Sequence, residues 1–206
     1  MIHLYSDFTP NGLRASIVLE EAGLPYQAIR INTGEGQQHG EEFAALNPAR
    51  AIPVIVDEDG PDGRRFVLAQ SGAIMLYVAE KCGRFMPEHP GRRALANQWF
   101  MQIATDVTSA SSWIFNHATA MPVQHPDNAA WLEARMMRAM SVTDRWLADH
   151  EYLADEVSIA DFLLFPTFSF RRKSLAEAGS FGHLRRWGEV MALRPGVQRG
   201  MSVFGT

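Results

Sequence analysis

The chain has 206 residues, 47% of them hydrophobic and 20% charged, which suits one large or two small globular domains and argues against disorder. Its 19 basic and 23 acidic side chains give a formal charge of −4 at pH 7, without the clustered Lys and Arg of a nucleic-acid surface. No apolar run approaches the roughly 18–20 residues of a membrane helix. In chain order, Ile2-His3-Leu4-Tyr5 is short and β-prone and predicts a first strand. Thr9 suits an N-cap and Pro10 the first position of a helix. The apolar positions of that helix are Leu13, Ile17, Val18 and Leu19, with Arg14, Glu20 and Glu21 on the other face, and Gly23 and Pro25 stop it. Tyr26 to Ile31 predicts a second strand, residues 33–40 a polar Gly-rich loop, and Glu41 to Leu46 a short helix. Val54-Ile55-Val56 after Pro53, and Phe66 to Ala69 beyond the breaker-rich residues 57–63, predict a β-hairpin. Ser71 is positioned to cap a helix that ends at Gly83.

This order, β-α-β, a loop with a short helix, then β-β-α, implies a parallel first pair with a right-handed crossover and resembles a thioredoxin-like domain over residues 1–82. Residues 83–91, with Pro87, Pro90 and Gly91, read as a linker. From 92 to 206 strand signals almost vanish. Leu95, Trp99, Ile103, Val107, Ala110 and Ile114 keep helical spacing, as do Leu132, Met136, Ala139, Met140, Thr143 and Leu147. Ser158 and Asp161 form a capping-box pattern with Val157 and Phe162 at the staple positions. The apolar run Phe162-Leu163-Leu164-Phe165 ends at Pro166, and a further helix is expected from Phe181 to Leu193. The expected fold class is α/β plus all-α, a thioredoxin-like domain followed by a helical bundle.

The N-terminus has neither the basic region nor the long apolar core of a secretory signal. The single cysteine, Cys82, allows no internal disulfide, no CxxC pair and no cysteine zinc cluster, so a reducing cytoplasm is the expected setting.

In an open α/β sheet, ligands collect at the carboxyl ends of strands and at helix N-termini. Tyr5 to Gly12, Arg50 to Val54, and Gln70-Ser71 are expected to converge there. A redox thioredoxin carries a cysteine pair at the start of its first helix. Here Thr9-Pro10-Asn11-Gly12 supplies no redox group and no strong nucleophile, so a reactive atom must arrive with a ligand. A hydroxyl, an amide and free backbone N–H groups suit an anion such as a thiolate, whose pKa of ~8.5 falls near a helix N-terminus. Gln70 and Ser71 similarly suit a carboxylate. On local sequence alone both pairs read first as ordinary helix caps, with the anion-holding reading left open.

Thr9-Pro10-Asn11-Gly12, then Leu19 to Tyr26, Phe43 with Leu46-Asn47-Pro48, Ile52-Pro53-Val54, Gln70-Ser71-Gly72-Ala73-Ile74, and Ser158-Ile159-Ala160-Asp161 follow one another along the chain. In this order they resemble the glutathione transferase family over essentially the whole chain. The Thr-Pro-Asn-Gly element is similar to that of the bacterial nu class and its fungal relatives, some of which reduce disulfides with glutathione. The resemblance implies a cis bond before Pro53, a backbone pairing of Ile52 with the cysteinyl part of glutathione, and Gln70 and Ser71 at the γ-glutamyl end. It implies Gln38 at the glycyl end and Thr9 and Asn11 facing the sulfur as the catalytic pair. Many relatives carry Lys or Arg where this chain has Ala51, and Arg50, one residue earlier, is the candidate to replace that charge. Glutathione is then the co-substrate, no metal is implied, and a homodimer acting on a small electrophile or disulfide, as in detoxification, is expected. The competing expectation is a non-catalytic binding or regulatory protein that keeps the fold.

Among other residues, Tyr5 reads as packing, Ser6 as a loop residue and Cys82 as structural. The histidines His39, His89, His117, His125, His150 and His183 lack metal spacing. Asp106 reads as a polar helix position, or as a contact to a partner subunit's ligand amine. Arg135 and Arg138 read as solvated helix charges, with an anionic second substrate as the alternative. Trp113, Phe115, Trp131 and the Met136-Met137 pair read as core.

Overall fold

The computed structural model describes residues 1–205. The first part of the chain forms β1 (Ile2–Ser6), α1 (Pro10–Ala22), β2 (Tyr26–Arg30), α2 (Glu41–Leu46), β3 (Val54–Asp57), β4 (Phe66–Ala69) and α3 (Ser71–Cys82). Residues 33–40, expected as loop, contain two single 3₁₀ turns. The sheet order is β2-β1-β3-β4. β1 and β2 are parallel, as a helical crossover requires, and β3 is antiparallel to both β1 and β4. This is the thioredoxin-like architecture expected from the order of elements.

Burial alternates along β1: Ile2, Leu4 and Ser6 are enclosed while His3 and Tyr5 are half exposed. Leu4 pairs with Ile55, and both are inaccessible, as are Leu13, Ile17 and Ile74 from α1 and α3. Each such side chain contributes about 1.5–3 kcal/mol of burial. Thr9 caps α1, with its hydroxyl oxygen 3.1 Å from the Gly12 N–H, and Gly23 closes it in the left-handed conformation.

The chain divides into two units, but the division differs from the boundaries expected of the sequence. One unit holds Met1–Arg84 together with the segment from Ala192 onward, and the other holds Phe85–Met191. Phe85, inside the expected linker, is packed: its carbonyl accepts from the Ile159 N–H, and its ring meets Phe162 edge-on at 5.0 Å. At the other end, α10 (Pro195–Ser202) docks on α1 rather than in the bundle. The Ser16 hydroxyl donates to the Gly200 carbonyl, Arg194 forms a two-point ion pair with Glu21, and Arg199 pairs with Glu20. The face of α1 that reads as a polar exterior is thus partly an internal one. Glu20 and Glu21 lie against α10, and Arg14 has no exposed surface at all.

Within Phe85–Met191, a helical rod begins with α4 (Pro90–Gln102) and α5 (Ser109–Phe115), joined by a π-helical turn at Ile103–Thr108 and continued by another at Asn116–Ala120. It is followed by α6 (Pro126–Trp146), α7 (Ile159–Phe170), α8 (Arg172–Glu177) and α9 (Gly182–Ala192). The Ser158–Asp161 capping box is present. The Asp161 carboxylate also accepts from the Leu153 N–H and the Trp187 indole, which ties three segments together. Pro166 ends the apolar run but lies inside α7, a helix buried on nearly every side. Trp113, Phe115 and Trp131, expected in the core, are each more than half exposed, because the helical stripe that is buried runs through Trp99, Ile103, Val107, Ala110 and Ile114.

α10 approaches so closely that a Cβ on Gly200 would lie 2.5 Å from the Ile17 Cα and 2.7 Å from its nitrogen. Gly200→Ala is therefore expected to destabilise by about 1–3 kcal/mol, a fall in Tm of roughly 2–12 °C in a thermal melt.

Candidate functional site

The register of the sheet brings three segments to one end. Tyr5 pairs with Val54, and Val54 with Ala69. The turn that leaves β1 toward Thr9 therefore lies beside Ile52-Pro53, which enters β3, and beside Gln70-Ser71, which leaves β4. β2 ends at the same edge, since Ser6 pairs with Arg30. The Ile52–Pro53 bond is cis.

At the start of α1 the polar atoms are directed by hydrogen bonding. The Thr9 hydroxyl oxygen accepts from Gly12, so its own proton is free to donate outward. Asn11 is half buried, and its Oδ1 accepts from the Arg14 guanidinium. Gly12 is required by close approach: a Cβ there would lie 2.2 Å from the Asp7 carbonyl oxygen and 2.4 Å from the Ser6 hydroxyl. Ser6, read as a loop residue, ends β1 with no exposed surface, and its Oγ has no hydrogen-bond partner among the described residues.

The α3 start differs from expectation. The N-cap is Gln70, held at φ 74°, with Ser71 as the first helical residue, and the Gln70 side chain makes no capping hydrogen bond. The leading N–H groups and the Ser71 hydroxyl are left to an external acceptor. A left-handed non-glycine residue costs of order 1–3 kcal/mol and often marks a functional site.

Arg50 also has a positive φ, of 52°, and its guanidinium donates to the His39 carbonyl. This places a cation against the turn that carries Gln38, whose Oε1 is buried without a hydrogen-bond partner among the described residues and whose Nε2 lies 3.3 Å from the His39 ring. Asn47 holds the segment between α2 and β3, donating to the Ala51 carbonyl at 2.7 Å and accepting from the Ala49 N–H. Gln38 and Arg50 are thus linked through His39, while Thr9, Asn11, Ile52, Pro53, Gln70 and Ser71 share the sheet end.

Three residues to which the sequence assigns no individual site role organise this region: Asp7, Asn47 and Arg14. Asp7 is buried and accepts from the Phe8 N–H, the Thr33 N–H and hydroxyl, and the Arg30 guanidinium. Burial pushes its carboxyl pKa up, but the donors at Thr33, Phe8 and Arg30 outweigh this and hold it below the ordinary value of 3.8. Its position in the turn after β1, followed by an N-cap, was the only sequence signal. Arg14 follows Asn11 by three residues, the spacing of neighbours on a helix surface.

The remaining candidates lie elsewhere. Tyr5 turns to the opposite face of the sheet, where with Ile29, Ile31, Phe43 and Leu46 it lines a pocket of about 750 Å³. Cys82 ends α3, roughly 16 Å along the helix from Ser71. Asp106 lies on the first π-helical turn, 4.0 Å from Arg135, with both side chains about half exposed. Among the described residues no group of three or more His, Cys, Asp or Glu is arranged to hold a metal, and no helix is long and apolar enough to cross a membrane.

At this sheet end α1 is capped by Thr9, α3 opens at Gln70 without a side-chain cap from that residue, and Cys82, the single cysteine of the sequence, lies at the far end of α3. Residues 8–81 match the family description "Glutathione S-transferase, N-terminal domain". The chain is 33% identical over 222 residues to the disulfide-bond oxidoreductase YghU of Escherichia coli K12, covering 100% of this chain and 75% of the relative. It superposes on a glutathione transferase from Pseudomonas putida, solved with one glutathione disulfide per subunit, with a TM-score of 0.91, 31% identity, and coverage of 99% and 92%. A glutathione transferase from Burkholderia graminis, with two glutathione molecules per subunit, matches with a TM-score of 0.87, 34% identity, and coverage of 97% and 87%. The chain belongs to the glutathione transferase family.

Because Asp7 has its folded pKa below the ordinary value, its stabilisation is fully present above about pH 3.8 and is lost as pH falls through the folded pKa. Asp7→Asn is expected to cost about 1.5–3 kcal/mol at neutral pH, with the gap from wild type closing as pH falls below the ordinary carboxylate range. Urea unfolding across pH measures both.

Proposed function

We propose that the chain is a glutathione-dependent enzyme that reduces small disulfides and conjugates electrophiles weakly, in the manner of the nu-class Thr-Pro-Asn-Gly type. The observation that carries this is the sheet register that sets the Thr9–Gly12 turn beside Ile52-Pro53 and Gln70-Ser71. Two of these segments open helices, whose N-termini favour anions. Ser71, the leading N–H groups of α3 and Gln70 receive the γ-glutamyl end. Ile52 offers its backbone to the cysteinyl part, and Gln38 and Arg50 serve the glycyl carboxylate. Thr9 and Asn11 donate to the sulfur and favour the thiolate over the thiol.

With Cys82 at the far end of α3, no protein thiol takes part. One glutathione thiolate attacks the substrate disulfide, forming a mixed disulfide and expelling a substrate thiolate. A second attacks that mixed disulfide, releasing the other substrate thiolate and glutathione disulfide. The two protons lost by the glutathione thiols end on the two product thiols. A site working this way accommodates two glutathione moieties, in keeping with the two relatives solved with glutathione disulfide or with two glutathione molecules. The protein acts as a homodimer, a reading supported by the family resemblance and tested by light scattering.

Ser71→Ala removes a hydrogen bond to a charged group, worth ~1.5–3 kcal/mol, so calorimetry is expected to show a rise of roughly tenfold or more in the dissociation constant for glutathione. No measurable binding by the wild-type protein at millimolar glutathione would overturn the proposed function.

With hydroxyethyl disulfide at fixed glutathione, turnover is expected in wild type and in Cys82→Ser, and a sharp loss in the Thr9→Ala, Asn11→Ala double variant. Loss of activity in Cys82→Ser, or full activity in the double variant, would exclude this route. Strong conjugation of an aryl halide without disulfide reduction would instead mark an ordinary transferase.

A further inference from the structure

Arg14 reads in the sequence as an exterior helix residue, yet it has no exposed surface and is enclosed in the continuously buried run from Gly12 to Leu19. Burying a guanidinium is costly, and an aliphatic side chain would fill the space without that penalty. Burial lowers its pKa to about 9, which leaves it cationic at neutral pH. Its Nη1 donates to Asn11 Oδ1, one turn earlier on the same helix. A guanidinium carries five donors and no acceptor, so the Asn11 atom facing it must be the carbonyl oxygen. The amide NH₂ group is then turned away from Arg14.

We propose that Arg14 is a positioning residue: by holding the Asn11 carbonyl oxygen, it commits the Asn11 amide to present N–H donors, and not lone pairs, to the sulfur of glutathione. This rests on the proposed function, in which Asn11 faces that sulfur. Released from Arg14, the amide can rotate by half a turn about its last torsion, and in the flipped state its oxygen opposes a thiolate. The lock makes Asn11 selective for the ionised sulfur, so its effect belongs to the thiol ionisation and much less to the binding of glutathione as a whole. The proton lost on ionisation passes to solvent, and no bond to the protein forms.

The test measures the pKa of the bound glutathione thiol from the ultraviolet absorbance of the thiolate across pH, and the dissociation constant by calorimetry. It is applied to wild type, Arg14→Met, Asn11→Ala and the double variant. Arg14→Met is expected to raise the bound thiol pKa by about 1 unit, a roughly tenfold loss of thiolate at a pH below it, with less than about threefold change in the dissociation constant. In the Asn11→Ala background the same substitution is expected to add nothing, because Arg14 acts through Asn11. Arg14→Lys, which keeps the cation, is expected to restore most of the thiolate. Arg14→Leu, which likewise removes the guanidinium, is taken through the same cycle should the methionine variant fail to fold. An unchanged thiol pKa, or an equal shift with and without Asn11, in whichever variant folds overturns the positioning role. If Asn11→Ala itself leaves the bound thiol unchanged while glutathione still binds, the fault lies with the assignment of Asn11 to the sulfur. Absence of glutathione binding in wild type places it with the proposed function.

Discussion

The pairing of β3 with both neighbours is the constraint on which the site depends. Because β3 runs antiparallel to β1 and to β4, the end of β1, the start of β3 and the end of β4 occupy one edge of the sheet. Three segments separated by tens of residues in the chain meet there without a long loop. The alternation of β1 helps to fix their register: slipping that strand by one residue would move Leu4 out of the buried face and bring His3 and Tyr5 in. The hydrophobic effect that builds the unit also sets where the donors converge.

The sheet places the segments, and buried polar groups then set their fine geometry. The Asp7 carboxylate gathers donors from Phe8, Thr33 and Arg30, joining the turn after β1 to the turn after β2. Arg30 is more than half exposed, so its ion pair is screened, and the bonds from Thr33 matter more. Asn47 fixes the approach to Pro53 by bonding two backbone groups in its own loop. Each holds backbone in a shape that apolar packing alone would not specify, and Asp7 loses its partners if the two turns move apart.

The C-terminal segment completes the first unit. α10 reaches α1 because Gly200 permits backbone contact with Ile17, and two Arg–Glu pairs orient it. Of the two, Arg194–Glu21 is the more enclosed and the better hydrogen-bonded. The helix that carries Thr9 and Asn11 is thereby packed against the sheet, α3 and α10, a rigid base for a site made of short side chains.

Local physical chemistry made much of the architecture legible. Thr9 with Pro10 and Gly23 bounded α1 because capping and left-handed closure are properties of a few adjacent residues. The short strands and the hairpin followed from β-prone runs between breakers, and Ser158 with Asp161 announced α7. The four-residue pattern at Thr9 and its companions carried the family resemblance. What the sequence left undecided depends on residues far apart in the chain. Glu20 and Glu21 looked exterior because nothing local announces that α10, nearly two hundred residues away, closes over that part of α1, and the burial of Arg14 is equally silent in the local sequence. Trp113, Phe115 and Trp131 looked like core because size and aromaticity do not reveal which stripe of a helix faces inward. Ser71 looked like a cap, and the positive φ of Gln70 moved the cap one residue back. Asn47 and Arg14 bond within their own loop and helix turn, but the role of Asp7 exists only where the tertiary structure sets Thr33 and Arg30 against its carboxylate, because a hydrogen bond is a fact of distance and angle and not of composition.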